Sequence, residues 1–237
     1  MFKGNSFFAS IPPVTKNLII INFLIWLATF VLGNRFDFDL TKYLGLHYIT
    51  APDFNAAQFI TYMFMHDPTS ISHVFFNMFS VFIFGRTLEM VWGSKRFLFY
   101  YFTTGIGAGI IQELVWWLSV AGQTYVAAET IHGTMVNVPV EMYTAMFNTV
   151  GASGAVFGIL LAFGMLFPNA ELFLMFIPIP IKAKYFVAFY GIVELFFGVA
   201  GAAGDNVAHF AHLGGMLFGL ILILYWRKKG IGGGPYF

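Results

Sequence analysis

Six apolar stretches constrain this chain more than any other feature. Each is close to the ~20 residues a helix needs to cross a ~30 Å hydrocarbon core. They run over 16–32, 73–92, 96–120, 151–167, 184–201 and 207–226. A segment in lipid must satisfy its own backbone hydrogen bonds, so each reads as an α-helix. Composition agrees: 59% of residues are hydrophobic and 10% charged, where a soluble domain carries about 25% charged residues. The expectation is an all-α membrane protein with six transmembrane helices, a single domain over 1–237 whose core spans 14–229. No internal repeat and no cleavable leader is read before the first stretch. The absence of cysteine excludes thiol chemistry and disulfides. A net charge of +1, with no basic cluster interleaved with aromatics, argues against a nucleic-acid partner.

Positive charge orients the stretches. Lys3 and Lys16 precede the first, Lys95 and Arg96 separate the second and third, and Lys182 and Lys184 separate the fourth and fifth. Arg227, Lys228 and Lys229 follow the sixth, and Arg86 lies near the inner end of the second. With six spans these all fall on one side, leaving only Arg35 and Lys42 opposite; five or seven spans would scatter them. The positive-inside rule then places both termini in the cytoplasm. A bacterial plasma (inner) membrane is the expected location. The loop over 33–72 is outside yet rich in Phe, Tyr and Met. It reads as an interfacial amphipathic first outer loop, with a folded loop packed on the helices as the competing reading.

The second, fourth and sixth stretches each carry polar groups near the outer end: His73 and Asn77, Ser153, and His212. From Ser153 to Phe167, from His212 to Trp226 and from Asn77 to Val91 the helical rise is roughly 21 Å in each case, with His73 one turn higher. All therefore sit in one layer, on the order of 10 Å below the outer surface of the core. Polar groups are costly there and are functional candidates by default. Gly154, Gly158 and Ala162 form a small-residue stripe on the fourth stretch, and Gly215 and Gly219 form one on the sixth. Such stripes let backbones approach, as a hydroxyl needs in order to reach an imidazole at ~3 Å.

These residues assemble an acyl-transfer site. Ser153 is the candidate nucleophile and His212 the general base and acid. The backbone N–H of Ser153 at a helix N-terminus, with His73 and Asn77 on one helix face, is the candidate oxyanion hole. Gly151, Gly154, Phe157, Gly215 and Gly219 pack around the pair, with Phe157 set to hold the imidazole. Asp205 lies two turns above His212 in the loop, and Glu194 counts as deeper on the fifth stretch, so the reading is a dyad. His209, roughly 4.5 Å higher than His212, reads as solvated or loop-bonded. A metal site using His209, His212 and His66 or His73 lacks a carboxylate at ligand spacing and any HExxH pattern, so neither metal nor cofactor is expected. Ser80 reads as structural, Arg86 and Glu89 as an i,i+3 ion pair, and Trp116, Trp117 and Trp226 as interfacial anchors.

At His73-x-x-x-Asn77, Gly151-x-Ser153-Gly154 and Ala211-His212 with Gly215-x-x-x-Gly219, the sequence resembles the rhomboid family of intramembrane serine proteases. Glu89 followed by Trp92-Gly93 is also similar to that family, and the resemblance covers 56–226. It implies a six-helix core and hydrolysis of peptide bonds in or beside transmembrane segments of membrane-protein substrates within the lipid bilayer. It also implies a Ser153/His212 dyad without metal or cofactor, water entry from the outer face and lateral substrate access near the fifth stretch. Phe157 stands where many members have Tyr, and the first outer loop lacks their Trp-Arg pair. The competing class is a non-catalytic polytopic membrane protein, a transporter or chaperone. A transporter predicts inverted repeats and broken helices at the midplane, whereas no repeat is read and the polar layer is nearer one face.

Overall fold

The structure, a computed structural model, describes residues 10–129, 133–174, 177–200 and 208–231. Helix α1 (Pro13–Phe36) opens with Pro13 in its first turn, where a missing N–H costs nothing. A short helix α2 (Thr41–Leu44), strand β1 (Leu46–His47) and helix α3 (Gln58–Thr61), which continues into a 3₁₀ turn over Tyr62–Phe64, form the first outer loop. The second span is α4 (Ile71–Ser80), a π turn (Val81–Gly85) and α5 (Arg86–Trp92) in direct succession. Gly93, at φ +79°, takes a backbone conformation open to glycine and ends α5. Then follow α6 (Ser94–Val120), the hairpin β2 (Tyr125–Glu129) and β3 (Met135–Pro139), α7 (Val140–Thr144) and β4 (Asn148–Thr149). The chain continues through α8 (Ser153–Leu166), the hairpin β5 (Glu171–Leu174) and β6 (Ile177–Lys182), α9 (Ala183–Ala200) and α10 (His209–Lys228). The all-α expectation thus needs one amendment: three two-stranded antiparallel pairs, β1–β4, β2–β3 and β5–β6, sit in the connections.

Among the described residues, four helices are long and apolar enough to cross a membrane: Pro13–Phe36, Ile71–Trp92, Ala183–Ala200 and His209–Lys228. Helix α8 is apolar but only 14 residues long. Helix α6 has 27 residues, and its Tyr100, Tyr101, Thr104 and glycines are buried inside the protein rather than facing outward. The fold is therefore a helical membrane bundle, with its polar helix faces turned inward. Helix α1 shows the same inversion, since its buried residues are Thr15, Leu18, Asn22 and Thr29.

The centre of the bundle is α10 packed against α6 and α8. Glycines set the distances. A Cβ on Gly215 would collide with the backbone carbonyl of Gly154 on α8, and one on Gly158 would meet Thr104 of α6. One on Gly219 would strike the Tyr100 hydroxyl, so the lower half of that stripe faces α6, not α8. The Tyr100 hydroxyl also donates to the Gly158 carbonyl at 2.8 Å, tying α6 to α8.

Three sequence expectations change here. The first outer loop is a folded layer on the bundle: Leu46, Met63 and Met65 are fully buried, and Tyr62 donates to the Gly105 carbonyl of α6 at 2.6 Å. Only its outer face, with Tyr43, Ile49 and Ile60, is exposed and apolar. Glu89 does not pair with Arg86. Its carboxylate accepts the N–H groups of Val14 (3.0 Å) and Thr15 (2.7 Å) and the hydroxyls of Thr15 and Ser94. It thus caps the N-terminus of α1, where donors lack helical partners and negative charge is favoured. Trp226 is no surface anchor: it is buried, with its ring 5.3 Å from that of Trp92. Ser80, by contrast, bonds its own helix at the Phe76 carbonyl.

Candidate active site

The approach to Ser153 is fixed by the outer layer. Strand β4 pairs with β1 of the first outer loop through Leu46↔Thr149 and His47↔Asn148. Gly151 then donates its N–H to the Tyr62 carbonyl at 3.0 Å. Its φ of +133° is open to glycine and closed to residues with a Cβ. Ala152 caps α8, and Ser153 is the first helical residue. The first-turn N–H groups of a helix have no acceptor within it and point out of its end. At this end lies a cavity of about 470 Å³, lined by Asp67, Ser70, His73, Asn148, Thr149, Val150, Ser153, Ala208 and His212.

Ser153 Oγ lies 2.8 Å from His212 Nε2, joining the N-terminus of α8 to the first turns of α10. The imidazole is held on two further sides. Phe157, one turn below Ser153, stacks on it with ring centroids 4.3 Å apart and planes 9° from parallel. On the other edge, His212 Nδ1 is 2.8 Å from Glu194 Oε2. The same carboxylate oxygen is 2.7 Å from His209 Nδ1. The expectations that Glu194 lies too deep to reach His212, and that His209 is a solvated residue, are both overturned. Asp205, the other carboxylate weighed from sequence, lies outside the described residues.

The neighbouring wall comes from α4. A Cβ on Gly151 would lie 3.1 Å from His73 Nε2, so that nitrogen faces the serine's approach. His73 Nδ1 sits 3.5 Å from the N–H of Asp67, at the outer limit of a hydrogen bond. Asn77 Nδ2 donates to the His73 carbonyl at 2.9 Å, committing one of its two amide hydrogens. Behind His73 is the buried His66, its ring 4.9 Å away and edge-on. Burial, reinforced by His73, pushes the His66 pKa down to about 3, so it is a neutral ring. A second cavity of about 410 Å³ runs from Ser72, His73 and Asn77 past Phe157 to Phe186 and Tyr190 of α9.

Glu194, His209 and His212 offer ligand atoms within 4.8 Å of one another. Two imidazoles and a carboxylate are a donor set that a zinc-like divalent ion accepts. A carboxylate at ligand spacing is therefore present, contrary to the sequence reading. An ion held there would take the Nδ1 atom that His212 turns to Glu194.

Sequence reasoning also missed a signal on α9. Gly191, Glu194 and Gly198 fall at i, i+3 and i+7, one helix face. A Cβ on Gly191 would touch Met216, and one on Gly198 would lie 3.1 Å from the Phe210 ring, so this face is the one turned to α10. A lone acid on a glycine stripe in an apolar helix is a mark of a polar partner across the interface.

Membrane-length apolar helices around a cavity lined mostly by polar residues define a polytopic helical membrane protein. Residues 53–229 match the Rhomboid domain, and the chain belongs to the rhomboid family. It is also similar to "Rhomboid protein 1, mitochondrial" of Saccharomyces cerevisiae, at 28% identity over 242 aligned residues. The alignment covers 96% of this chain, which spans 60% of the length of the yeast protein. The mitochondrial relative lends no support to the expected bacterial plasma membrane.

Proposed function

We propose that this protein is an intramembrane serine endopeptidase that hydrolyses peptide bonds in or beside transmembrane segments of membrane-protein substrates. The observation that carries the proposal is the 2.8 Å contact between Ser153 Oγ and His212 Nε2 at the floor of a cavity. Ser153 Oγ attacks the scissile carbonyl carbon while its proton passes to His212 Nε2. The developing oxyanion is met by the Ser153 N–H and the other first-turn donors of α8, with His73 Nε2 and the remaining Asn77 amide hydrogen across the cavity. The imidazolium then protonates the leaving amine nitrogen, and the C–N bond breaks to leave an acyl-serine. Water entering the polar cavity repeats the sequence in reverse. It gives its proton to Nε2, its oxygen bonds the acyl carbon, and Ser153 leaves as the alcohol.

The second cavity supports lateral entry of the substrate between α4 and α9. It is lined largely by Phe76, Phe84, Phe157, Leu160, Phe186 and Tyr190, and it ends at His73. A hydrophobic peptide loses little solvation by entering there. We further propose six spans, adding α6 and α8 to the four membrane-length helices, with both termini in the cytoplasm. Gln123→Cys should then react with an impermeant thiol reagent from outside, and Lys229→Cys only after permeabilisation. The reverse pattern would overturn the orientation.

The functional test is cleavage of a transmembrane substrate by protein reconstituted in liposomes. The expected result is cleavage by the native chain that is indifferent to chelators and abolished by Ser153→Ala. Cleavage that survives in Ser153→Ala, or that chelators remove and zinc restores, would contradict the proposal.

A further inference from the structure

We infer that Glu194 is a positioning residue for His212, extending the Ser153–His212 pair to a Ser–His–Glu arrangement in which His209 is a second donor to the same carboxylate. The inference rests on the serine-protease reading above and deepens it.

An ionised carboxylate is an acceptor only. His212 therefore presents Nδ1–H to Glu194 Oε2 at 2.8 Å. In a neutral imidazole the other nitrogen then carries the lone pair, and that nitrogen, Nε2, is 2.8 Å from Ser153 Oγ. The carboxylate selects the tautomer that can take a proton from Ser153; the opposite tautomer would offer the serine a donor. When Nε2 accepts that proton the ring becomes cationic, and Glu194 lies against its far edge, where it stabilises the charge. Phe157 cannot supply this. Its face-on stack fixes the plane of the ring but leaves its two nitrogens interchangeable.

Glu194 is buried, with only 7% of its surface exposed, and a buried carboxylate is costly unless its lone pairs find donors. His209 provides one at 2.7 Å. His209 and His212, at i and i+3, project from the same face of α10. The two bonds converge on one oxygen atom, so His209 holds Oε2 at the point where His212 needs it. The backbone is shaped to permit this. Gly198, one turn after Glu194, lets α10 approach α9 so closely that a Cβ there would lie 3.3 Å from that of His209. The ring of His209 also stacks on Phe197, at 5.7 Å between centroids.

The role predicts a kcat effect. Glu194→Gln keeps the shape of the side chain but can turn an amide N–H toward Nδ1, admitting the wrong tautomer. In liposomes with a transmembrane substrate its kcat should fall by ~10²-fold or more with KM little changed. Labelling of Ser153 by a fluorophosphonate should slow in parallel. His209→Ala, which leaves Glu194 its bond to His212, should lose only a few-fold in kcat. A native-like kcat in Glu194→Gln, or a change confined to KM and thermal midpoint, would show a purely structural role and overturn the inference. Should Glu194→Gln fail to fold, ¹⁵N NMR of histidine-labelled native protein decides without a variant at that position. A protonated Nδ1 and lone-pair Nε2 at His212 support the inference, and the opposite tautomer overturns it. If the native chain neither cleaves substrate nor labels at Ser153, it is the protease reading that fails instead.

Discussion

Helices α8 and α9 both border the candidate site, yet they are built on opposite plans. In α8 every residue except Ser153, Leu161 and Met165 is buried, and the helix has no face left for lipid. In α9 the buried residues are Ala183, Phe186, Val187 and Glu194, while Phe189, Ile192, Phe196 and Val199 form an exposed apolar side. Helix α8 can be short because protein surrounds it. Its N-terminus stops partway through the bundle, where β4 and Gly151 take over, and this brings Ser153 to the floor of a cavity rather than to the surface. Helix α9 is long and apolar enough to span by itself and touches the site through one stripe. The first helix fixes Ser153 by being enclosed on all sides; the second brings the Glu194 carboxylate through a narrow glycine-lined contact. A change on α8 should therefore disturb the whole core, and a change on α9 should register only on one face.

The largest effect should come from Gly215→Leu. There is no room for a Cβ against the Gly154 carbonyl, so α10 and α8 must separate. Overpacking costs about 1–3 kcal/mol and occasionally more, and thermal unfolding in detergent should show a substantially lowered midpoint together with lost activity. A stable, active variant would mean that α8 and α10 do not meet as closely as described. Next, His212→Ala should reduce cleavage to the level of Ser153→Ala, and the double variant should be no worse than either single one, as for residues that act as a unit. Additive losses would separate their roles.

On α9 the effects should be graded by face. Gly198→Leu should push the start of α10 away from α9, lowering kcat several-fold with a smaller change in thermal midpoint than Gly215→Leu. Ile192→Ala, on the exposed side of the same helix, should change stability by no more than about 0.5 kcal/mol and leave cleavage intact. An Ile192→Ala variant as impaired as Gly198→Leu would show that α9 is not one-faced.

The contrast between these helices also explains what could be read from sequence. Apolar length and charge placement mark six stretches, and the described helices begin and end within a few residues of them where the structure describes both. The ends expected for the fifth and sixth stretches, at Gly201 and Val207, lie outside the described residues. Ser153, His212 and Phe157 were legible because α8 and α10 lie close together along glycine stripes, so that a count of helical rise compares like with like. Glu194 was not. A count from Lys184 puts its Cα roughly 6 Å below the level of Ser153, a gap that helix tilt and two side-chain lengths can close. Tilt is set by packing against neighbours, which a single helix's sequence does not state. Glu89 was misread for a related reason. Two of its three partners, Val14 and Thr15, are distant in sequence, whereas Arg86 is a near neighbour with the right charge. The fully buried inner face of the first outer loop was likewise hidden, because its Met and Tyr residues suit a lipid interface as well as a protein core.

We propose above all that Ser153 is an activated nucleophile. This is tested most directly by treating the membrane-reconstituted native chain with a fluorophosphonate probe and mapping the adduct by mass spectrometry. A single adduct is expected on Ser153, absent from Ser153→Ala and strongly reduced in His212→Ala. An unlabelled native chain, or labelling that persists in Ser153→Ala, would contradict it.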